Sequence, residues 1–301
     1  MKVLVTGGAG QIGTYVVARL KDNHDVTILD IKPSTVFPEV PFLEVDLTDR
    51  TQTEQVSGFD VVVHLAGIPN PFSDTGDRIL SVNLAGTYNL LEAVRVHGVR
   101  RIIYGGSESE SGYGIHTYPL QPDYLPIDEQ HACRCHEAYS FSKYFNEFMC
   151  QEYARAYQIE MVALRYCWVW LDAFRAEIEE ILSEDVFGDQ SKNWFGGYIF
   201  PEDVAQAIEL ALDYQLPDPA FPFDLFYLAG PTTSFEANTL TCVEKTFEGS
   251  PPPVRDMSYF IDNPHAPFFD IRKAKKLLGF NPQFGKDDLD HPDRVRFGQT
   301  D

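Results

Sequence analysis

The sequence predicts an α/β fold in which a doubly wound parallel sheet carries a small C-terminal cap. Short apolar runs alternate with longer stretches of helical spacing through the first two thirds of the chain, which is typical of parallel strands joined by helices. A glycine-rich turn follows the first apolar run directly and precedes the first helix. Pro-rich segments come later, and we expect them to cover the carboxyl ends of the strands, where open α/β sheets bind their ligands.

The periodicity of apolar residues predicts strands and helices in alternation. The continuous Val-Val-Val run after Asp60 indicates a strand that is covered on both faces. Asp46 is expected to cap a helix, Gly98 to end a long helix and Pro201 to begin another. The predicted strands are 2–6, 25–30, 42–45, 60–65, 101–104, 161–165 and 225–228, and the predicted helices are 11–21, 80–97, 138–157 and 201–214.

The length of 301 residues suits one large domain with a smaller cap, and 44% apolar residues allow a sizeable core. We expect residues 1–165 to form the sheet domain and 200–230 to return to it. The segments 166–199 and 231–301 are then expected to form a small substrate-binding cap.

Composition argues against several classes of partner. A net charge of −21 argues against nucleic acid, because phosphate backbones require a surplus of Lys and Arg. No stretch approaches the roughly 20 apolar residues of a membrane span, and we expect no signal peptide before the first strand. The five cysteines suggest no disulfide framework. The composition therefore predicts a cytoplasmic protein with reduced thiols.

The strongest motif is the segment 6–13, which reads TGGAGQIG between a predicted strand and a predicted helix. That context is typical of the dinucleotide-binding turn of a Rossmann-type domain, because glycines allow a tight turn and close approach of a pyrophosphate. The helix N-terminus offers free amides to the anion. Asp30 ends the second strand, where a carboxylate accepts hydrogen bonds from a ribose and repels a 2′-phosphate. The motif therefore predicts NAD rather than NADP.

Tyr139 and Lys143 are four residues apart in a predicted helix and therefore share one face. A nearby ammonium group stabilises phenolate, so we expect Lys143 to lower the pKa of the Tyr139 phenol. Such a phenol exchanges a proton with a substrate oxygen near neutral pH. The serine-rich segment 106–111 ends the preceding strand. Together these residues predict hydride chemistry on a small hydroxylated substrate.

These motifs resemble the short-chain dehydrogenase/reductase superfamily, in its extended branch of NAD-dependent epimerases, dehydratases and dehydrogenases. The resemblance covers nearly the whole chain, including PEDVA at 201–205 and FDIRKA at 269–274. The family's catalytic hydroxyl lies four residues before a Tyr-Gly pair, which implies Ser109 rather than Ser107 or Ser111. The implied catalytic set is Ser109, Tyr139 and Lys143. The implied NAD contacts are Gly7, Gly10, Gln11, Ile12, Gly13, Asp30, Asp46, Leu47, Leu65, Ala66, Gly67, Asn83, Tyr139 and Lys143.

Departures from the family pattern narrow the substrate. Sugar-nucleotide epimerases hold the substrate diphosphate with an Asn where this chain has Trp168, and the following segment 168–200 is short and aromatic. Dehydratases need an acidic pair after the catalytic hydroxyl, and here Glu110 is followed by Ser111. The resemblance therefore implies a small sugar, sugar acid or polyol, as in uronate-dehydrogenase-like members. Its candidate contacts are Ser109, Glu110, Arg165 and Trp168.

Arg165 has two interpretations, since it either supports the strand end or clamps a substrate carboxylate through a bidentate pair. The cluster of His131, Cys133, Cys135 and His136 also has two. Its Cys-x-Cys spacing lacks the second chelating pair of a zinc site, so we predict no metal and a loop above the active site.

Three functions remain open at this point. The leading hypothesis is an NAD-dependent dehydrogenase, and the first alternative is a sugar-nucleotide 4-epimerase that retains its NAD. The second alternative is a non-catalytic NAD-sensing protein, against which the intact Ser/Tyr/Lys set argues. The helices 80–97 and 138–157 resemble those that pair across the family's dimer interface. We therefore expect a homodimer with Leu90, Val94, Phe145 and Phe148 on the outer faces.

Overall fold

The computed structural model describes residues 1–113, 120–183, 196–247 and 249–297. A seven-stranded sheet of order β3-β2-β1-β4-β5-β6-β9 forms the centre, and all neighbouring strands in it are parallel. This order confirms the predicted doubly wound sheet, because the connections leave β1 in opposite directions. The strands are β1 (Lys2–Thr6), β2 (Asp25–Asp30), β3 (Phe42–Glu44), β4 (Val61–His64), β5 (Arg101–Ser107), β6 (Glu160–Tyr166), β7 (Trp168–Val169), β8 (Tyr198–Ile199) and β9 (Phe223–Leu228).

Helices cover both faces of the sheet. Side chains of β1 alternate between two apolar cores, as the two-residue period of a strand requires. Val3 and Val5 lie in the core that includes α1 and α5, whereas Leu4 lies in the core that includes α2 and α3. The α-helices are α1 (Gln11–Leu20), α2 (Gly76–His97), α3 (Ala138–Tyr157), α4 (Arg175–Ser183), α5 (Pro201–Asp213), α6 (Thr239–Thr246) and α7 (Met257–Asp262).

Two element boundaries differ from the prediction by three residues or more. Helix α2 begins at Gly76, four residues earlier than its apolar pattern indicates. Strand β5 continues to Ser107 rather than ending at 104, because Gly105 and Gly106 pair with Leu164 and Arg165 of β6. Glycines have low strand propensity, so only the ladder to the neighbouring strand reveals this extension. The consequence for the site is that Ser107 ends the strand.

The prediction that Asp46 caps a helix is wrong. Its carboxylate accepts hydrogen bonds from the amide and hydroxyl of Thr48, which close a local turn. A 3₁₀ turn (Arg50–Val56) begins only after Asp49, whose carboxylate accepts from the Thr51 amide. The Asp-x-Thr pattern of residues 46–48 recurs at residues 49–51, and the aspartate of the second copy caps the 3₁₀ turn.

The segment after β6, which we predict to belong to a small cap, forms a second sheet of two strands. The two-residue strands β7 and β8 pair with each other outside the main sheet. Trp170 and Tyr198 stack with ring centroids 4.1 Å apart, and both are buried beside Phe200 and Phe284. These rings therefore form the core of the cap and present no face to a sugar. Trp194 and Phe195, which belong to the same aromatic segment, lie outside the described residues.

None of the described helices combines the length and apolar character that crossing a bilayer requires.

Candidate active site at the carboxyl edge of the sheet

The glycine-rich turn lies between β1 and α1, next to the loop that follows β4. Gly7 has φ +69°, and a Cβ atom there would lie 2.8 Å from the Ala66 amide nitrogen. A Cβ atom on Gly13 would collide with the Gly7 carbonyl oxygen. Helix α1 has no side-chain cap and no acidic residue in its first turn. These residues therefore fit a pyrophosphate, since the turn allows close approach and the helix presents free amides and its positive end.

Asp30 lies beside this turn at the end of β2. One carboxylate oxygen accepts a hydrogen bond from the Ala9 amide at 3.1 Å, and the other accepts from the Ile31 amide at 2.8 Å. The structure thus brings Asp30 together with the glycine-rich turn, as the motif predicts. A ribose bound at this point meets a carboxylate that is held by the backbone on either side.

Asn83 of α2 holds the loop that includes Leu65, Ala66 and Gly67. Its side-chain oxygen accepts from the Ile68 amide at 2.7 Å, and its side-chain nitrogen donates to the Ile68 carbonyl at 3.2 Å and to the Ser142 hydroxyl at 2.9 Å. Only 3% of Asn83 is exposed. Asn83 therefore positions a loop beside the site and ties it to α3.

Helix α3 begins beside the site, and Glu137 caps its N-terminus. The Glu137 carboxylate accepts hydrogen bonds from the amides of Tyr139 and Ser140. Tyr139 and Lys143 are both buried, with the Lys143 Nζ 5.7 Å from the centroid of the Tyr139 ring. The same Nζ donates to the Gly105 carbonyl of β5 at 2.8 Å. The predicted pairing on one helical face is therefore present, with the ammonium anchored to the strand.

The low pKa that we expect for Tyr139 is not found in this structure. Burial raises the pKa of Tyr139 well above its usual range, the neighbouring Tyr166 raises it further, and a hydrogen bond with Ser107 opposes both. Burial also lowers the pKa of Lys143 to about 8, against the attraction of Glu110. Desolvation is the largest effect on both groups because both lie away from water.

Ser107, rather than Ser109, is the hydroxyl beside Tyr139. Ser107 ends β5, and its hydroxyl lies near enough to the Tyr139 phenol to lower the pKa of that phenol. The Ser109 hydroxyl lies behind it, donating to the Ser107 Oγ at 2.8 Å, and Ser109 is only 2% exposed. The spacing to Tyr113 that selects Ser109 misleads because a 3₁₀ turn, Glu108–Ser111, intervenes. The extent of β5 is the signal that identifies Ser107, since ligand-binding groups follow the carboxyl ends of strands.

Arg165 and Glu110 belong to a buried ion-pair network, which corrects their proposed contact with substrate. Arg165 donates to Glu147 twice at 2.7 Å and to Glu110 at 3.2 Å, and it also donates to the Tyr227 hydroxyl at 3.1 Å and to the Cys133 sulfur at 3.3 Å. Burial and the nearby Glu147 raise the pKa of Glu110, while Arg165 lowers it. Arg165 therefore supports the strand end, and its donors are committed within the protein.

Trp168 is half-buried at the start of the cap, 6.2 Å from Trp170 between ring centroids. Its neighbours include Phe174 at 6.3 Å. A contact between Trp168 and the substrate stays a prediction.

Side chains of the segment around His131 form hydrogen bonds with the backbone of Asp123 and Glu110. The His131 Nε2 accepts from the Asp123 amide at 3.0 Å, and the Cys135 thiol donates to the Glu110 carbonyl at 3.2 Å. Burial raises the pKa of Cys133 to about 11 and that of Cys135 to about 12. Within the described part of the chain, no three His, Cys, Asp or Glu side chains are grouped to hold a metal ion.

Comparison with known proteins shows which family and which relatives this sequence is similar to. The sequence model of the NAD dependent epimerase/dehydratase family matches residues 3–219. A putative UDP-glucose 4-epimerase of Methanocaldococcus jannaschii is 32% identical over 71% of this chain and 74% of its own length. An L-arabinose 1-dehydrogenase (NAD(P)(+)) of Haloferax volcanii is 30% identical over 72% of this chain and 84% of its own. The solved structure of a mutated uronate dehydrogenase has the same fold, with a TM-score of 0.63, 20% identity and coverage of 95% of this chain and 82% of its own.

Proposed function

Because the chain belongs to the NAD-dependent epimerase/dehydratase family, we propose that it is a dehydrogenase that oxidises a small sugar or related polyhydroxylated compound with NAD. One observation carries the proposal, namely that Tyr139 meets the Ser107 hydroxyl and Lys143 at the carboxyl end of β5. A phenol, a hydroxyl and a buried cation in one place suit proton transfer at a substrate oxygen. This arrangement argues against a protein that only senses NAD.

In the proposed reaction the substrate hydroxyl lies between Ser107 and Tyr139. Ser107 orients the oxygen, and Tyr139 takes its proton once the phenol is ionised, which must overcome the burial that raises its pKa. NAD⁺, held by the glycine-rich turn and Asp30, would supply the acceptor for the hydride of the carbinol carbon, so that the products would be NADH and a ketone or lactone. Lys143 is held by the Gly105 carbonyl, and its positive charge favours the phenolate form of Tyr139 whenever it is protonated.

Two regions would hold the cofactor. The glycine-rich turn before α1 suits the pyrophosphate, and Asp30 suits the adenosine ribose. The Asp30 carboxylate repels a 2′-phosphate, which supports a preference for NAD over NADP.

The proposed substrate class rests on Trp168, on the net charge of the chain and on the ion pairs of Arg165. Trp168 stands where the resemblance places a diphosphate-binding Asn, and a net charge of −21 gives no long-range attraction for a dianion. Since Arg165 is bound to Glu110 and Glu147, it no longer supports a clamp for a sugar acid. A neutral sugar or polyol is therefore the leading substrate, ahead of a uronate.

The alternative is a sugar-nucleotide 4-epimerase, which the name of the relative from M. jannaschii favours. Epimerases must bind a nucleoside diphosphate, whereas the proposed dehydrogenase needs no such site. The two functions therefore differ in the binding of a nucleoside diphosphate, which can be measured without knowing the sugar.

A screen of free aldoses, polyols, uronates and sugar nucleotides with NAD tests the proposal through the absorbance of NADH. We expect NADH from at least one neutral sugar or polyol, and no saturable binding of UDP in a calorimetric titration. UDP binding at micromolar affinity, with no NADH from any free sugar, would reverse the order of the two functions.

We also propose a homodimer that is formed through α3. Phe145 and Phe148 of α3 are 47% and 50% exposed, and Phe141 and Tyr144 beside them are 37% exposed. A row of exposed aromatic side chains on one helix is typical of a surface that pairs with its own copy. Leu90 and Val94 take no part, because both are fully buried against the sheet, which corrects their expected outward position.

Light scattering at micromolar concentration is expected to give the mass of a dimer for the wild type and of a monomer for Phe148→Asp. Ile261→Asp is the matched control, since Ile261 is 69% exposed on α7, away from this row. A monomeric wild type would contradict the proposed interface.

A further inference from the structure

The segment 289–297 runs from the cap to the cofactor side of the sheet. It lies outside residues 3–219, the part of the chain that the family's sequence model matches. None of the described residues 289–297 belongs to a helix or a strand, so side-chain contacts hold the segment in place. Its contacts are therefore features of this chain that the family model does not describe.

Arg294 anchors this segment to the cap and to α5, and its side chain is fully buried. The guanidinium donates to Glu202 of α5 at 3.3 Å and to the Leu289 carbonyl at 3.0 Å, and Asp172, which follows β7, lies 3.7 Å away. The Val295 amide also donates to Glu202, at 3.0 Å. A buried arginine that is bound to two separate elements fixes the path of the chain on either side of it, because charge-assisted hydrogen bonds are strong and directional.

Phe297 reaches the cofactor side, where it contacts two elements next to the glycine-rich turn. Its ring meets the Tyr15 ring of α1 edge-on, with centroids 4.9 Å apart, and meets the Phe37 ring in the same manner at 5.6 Å. Tyr15 lies about one turn after Gln11, the first residue of α1. Edge-to-face ring pairs at these distances stabilise beyond the area that they bury. Phe297 therefore links the helix that follows the pyrophosphate position to the loop that carries Phe37.

The loop 31–41 begins directly after Asp30, the residue that suits the adenosine ribose. Inside this loop the buried Ser34 hydroxyl accepts a hydrogen bond from the Phe37 amide at 3.1 Å, which closes a local turn. The Phe37 ring then extends to Phe297. Contact with Phe297 thus restrains a loop that adjoins the expected position of the adenosine.

We propose that Phe297 is a positioning residue for the cofactor, which holds the loop 31–41 in the conformation that receives the adenosine end of NAD. Arg294 keeps Phe297 in place from the cap side. A loop that is already held in its binding conformation gives a higher affinity, because no population is lost to other conformations. The inference concerns the binding of NAD alone and holds whichever reaction the protein catalyses.

Calorimetric titrations with NAD and with ADP-ribose, which lacks the nicotinamide, test the inference. Phe297→Ala removes both ring contacts and is expected to weaken the binding of the two ligands by the same factor, at least about 5-fold. Phe297→Tyr keeps the ring and is expected to bind both ligands as the wild type does. The matched control is Phe221→Ala, which removes a half-buried ring that packs on Phe223 at the start of β9, at the opposite edge of the sheet.

Hydrogen exchange followed by mass spectrometry gives a second readout, in the wild type itself. NAD is expected to slow the exchange of residues 291–297 as well as 31–41, because the coupling between a bound ligand and a distant segment is reciprocal. In Phe297→Ala, saturating NAD is expected to protect residues 31–41 but no longer 291–297. A purely structural role of Phe297 would lower Tm and leave both the ligand affinities and this pattern unchanged.

The inference is overturned if Phe297→Ala binds NAD and ADP-ribose like the wild type, whatever its Tm. Equal losses in Phe297→Ala and Phe297→Tyr would also refute it, since the ring would then not be the group that holds the loop. A loss for NAD without one for ADP-ribose would assign the effect to the nicotinamide end instead. Unchanged exchange of residues 291–297 on addition of NAD to the wild type would show that the segment and the cofactor site are independent.

Discussion

Replacing Tyr139 by Phe is expected to lower kcat by at least about 10²-fold, the usual contribution of a general acid or base. The phenol hydroxyl is the only part of the side chain that the substitution removes, so the buried ring still packs at the start of α3. NAD affinity, measured by fluorescence titration, should change little, because the glycine-rich turn and Asp30 are untouched. The rate of NADH formation at saturating substrate, followed by absorbance, gives the value of kcat.

Tyr144→Phe is the matched control, since Tyr144 lies on the same helix and is 37% exposed. The serines extend the same test: Ser107→Ala should reduce kcat more than Ser109→Ala, because Ser107 contacts Tyr139 and Ser109 contacts Ser107. Near-normal turnover of Tyr139→Phe would refute the proposed proton transfer, and a larger loss in Ser109→Ala would restore Ser109 as the catalytic hydroxyl.

Replacing Arg165 by Met is expected to lower the free energy of unfolding by about 3–5 kcal/mol, since removing one partner of a buried pair leaves a buried charge uncompensated. Glu110 and Glu147 would both stay buried without their cationic partner, and Arg165 itself is 3% exposed. Urea denaturation followed by circular dichroism measures the change. Arg175→Met is the control, because Arg175 forms its ion pairs at the surface and should contribute only about 0–1 kcal/mol.

A second substitution separates charge from packing. Arg165→Met combined with Glu147→Leu removes both members of the closest pair, and apolar replacement of a buried pair is often neutral. The double variant should therefore be more stable than Arg165→Met alone, and the difference is the coupling energy of the cycle. Equal losses in Arg165→Met and Arg175→Met would show that the network around Arg165 contributes little to stability.

The parts of the site that sequence reasoning found are those with local signals. The glycine-rich turn is identified by residue types that only a tight approach requires, and Tyr139 and Lys143 share a face because they are four residues apart in one helix. Asp30 follows from its position at the end of a strand. Each of these inferences needs only the period of an element and the chemistry of one short segment.

The parts that were missed depend on residues far apart in the chain. Arg165 meets Glu110 across 55 positions and Glu147 across 18, and no periodicity records either encounter. The choice between Ser107 and Ser109 turns on how far β5 extends, which its ladder to β6 decides. The sequence also did not predict that Glu108 Oε2 has no hydrogen-bond partner among the described residues, since hydrogen bonding depends on the surroundings of a residue and not on its type.

The sequence by itself determined the doubly wound sheet, the NAD-binding edge and the helix that carries Tyr139 and Lys143. These features are encoded in alternating apolar runs, in glycines and in helical spacing, all of which act over a few residues. Only the tertiary structure decided which serine lies beside Tyr139, that Arg165 is held by carboxylates and that one oxygen of Glu108 is buried without a hydrogen-bond partner among the described residues. Those outcomes follow from desolvation and from hydrogen bonds between distant strands and helices, which are set when the elements pack together.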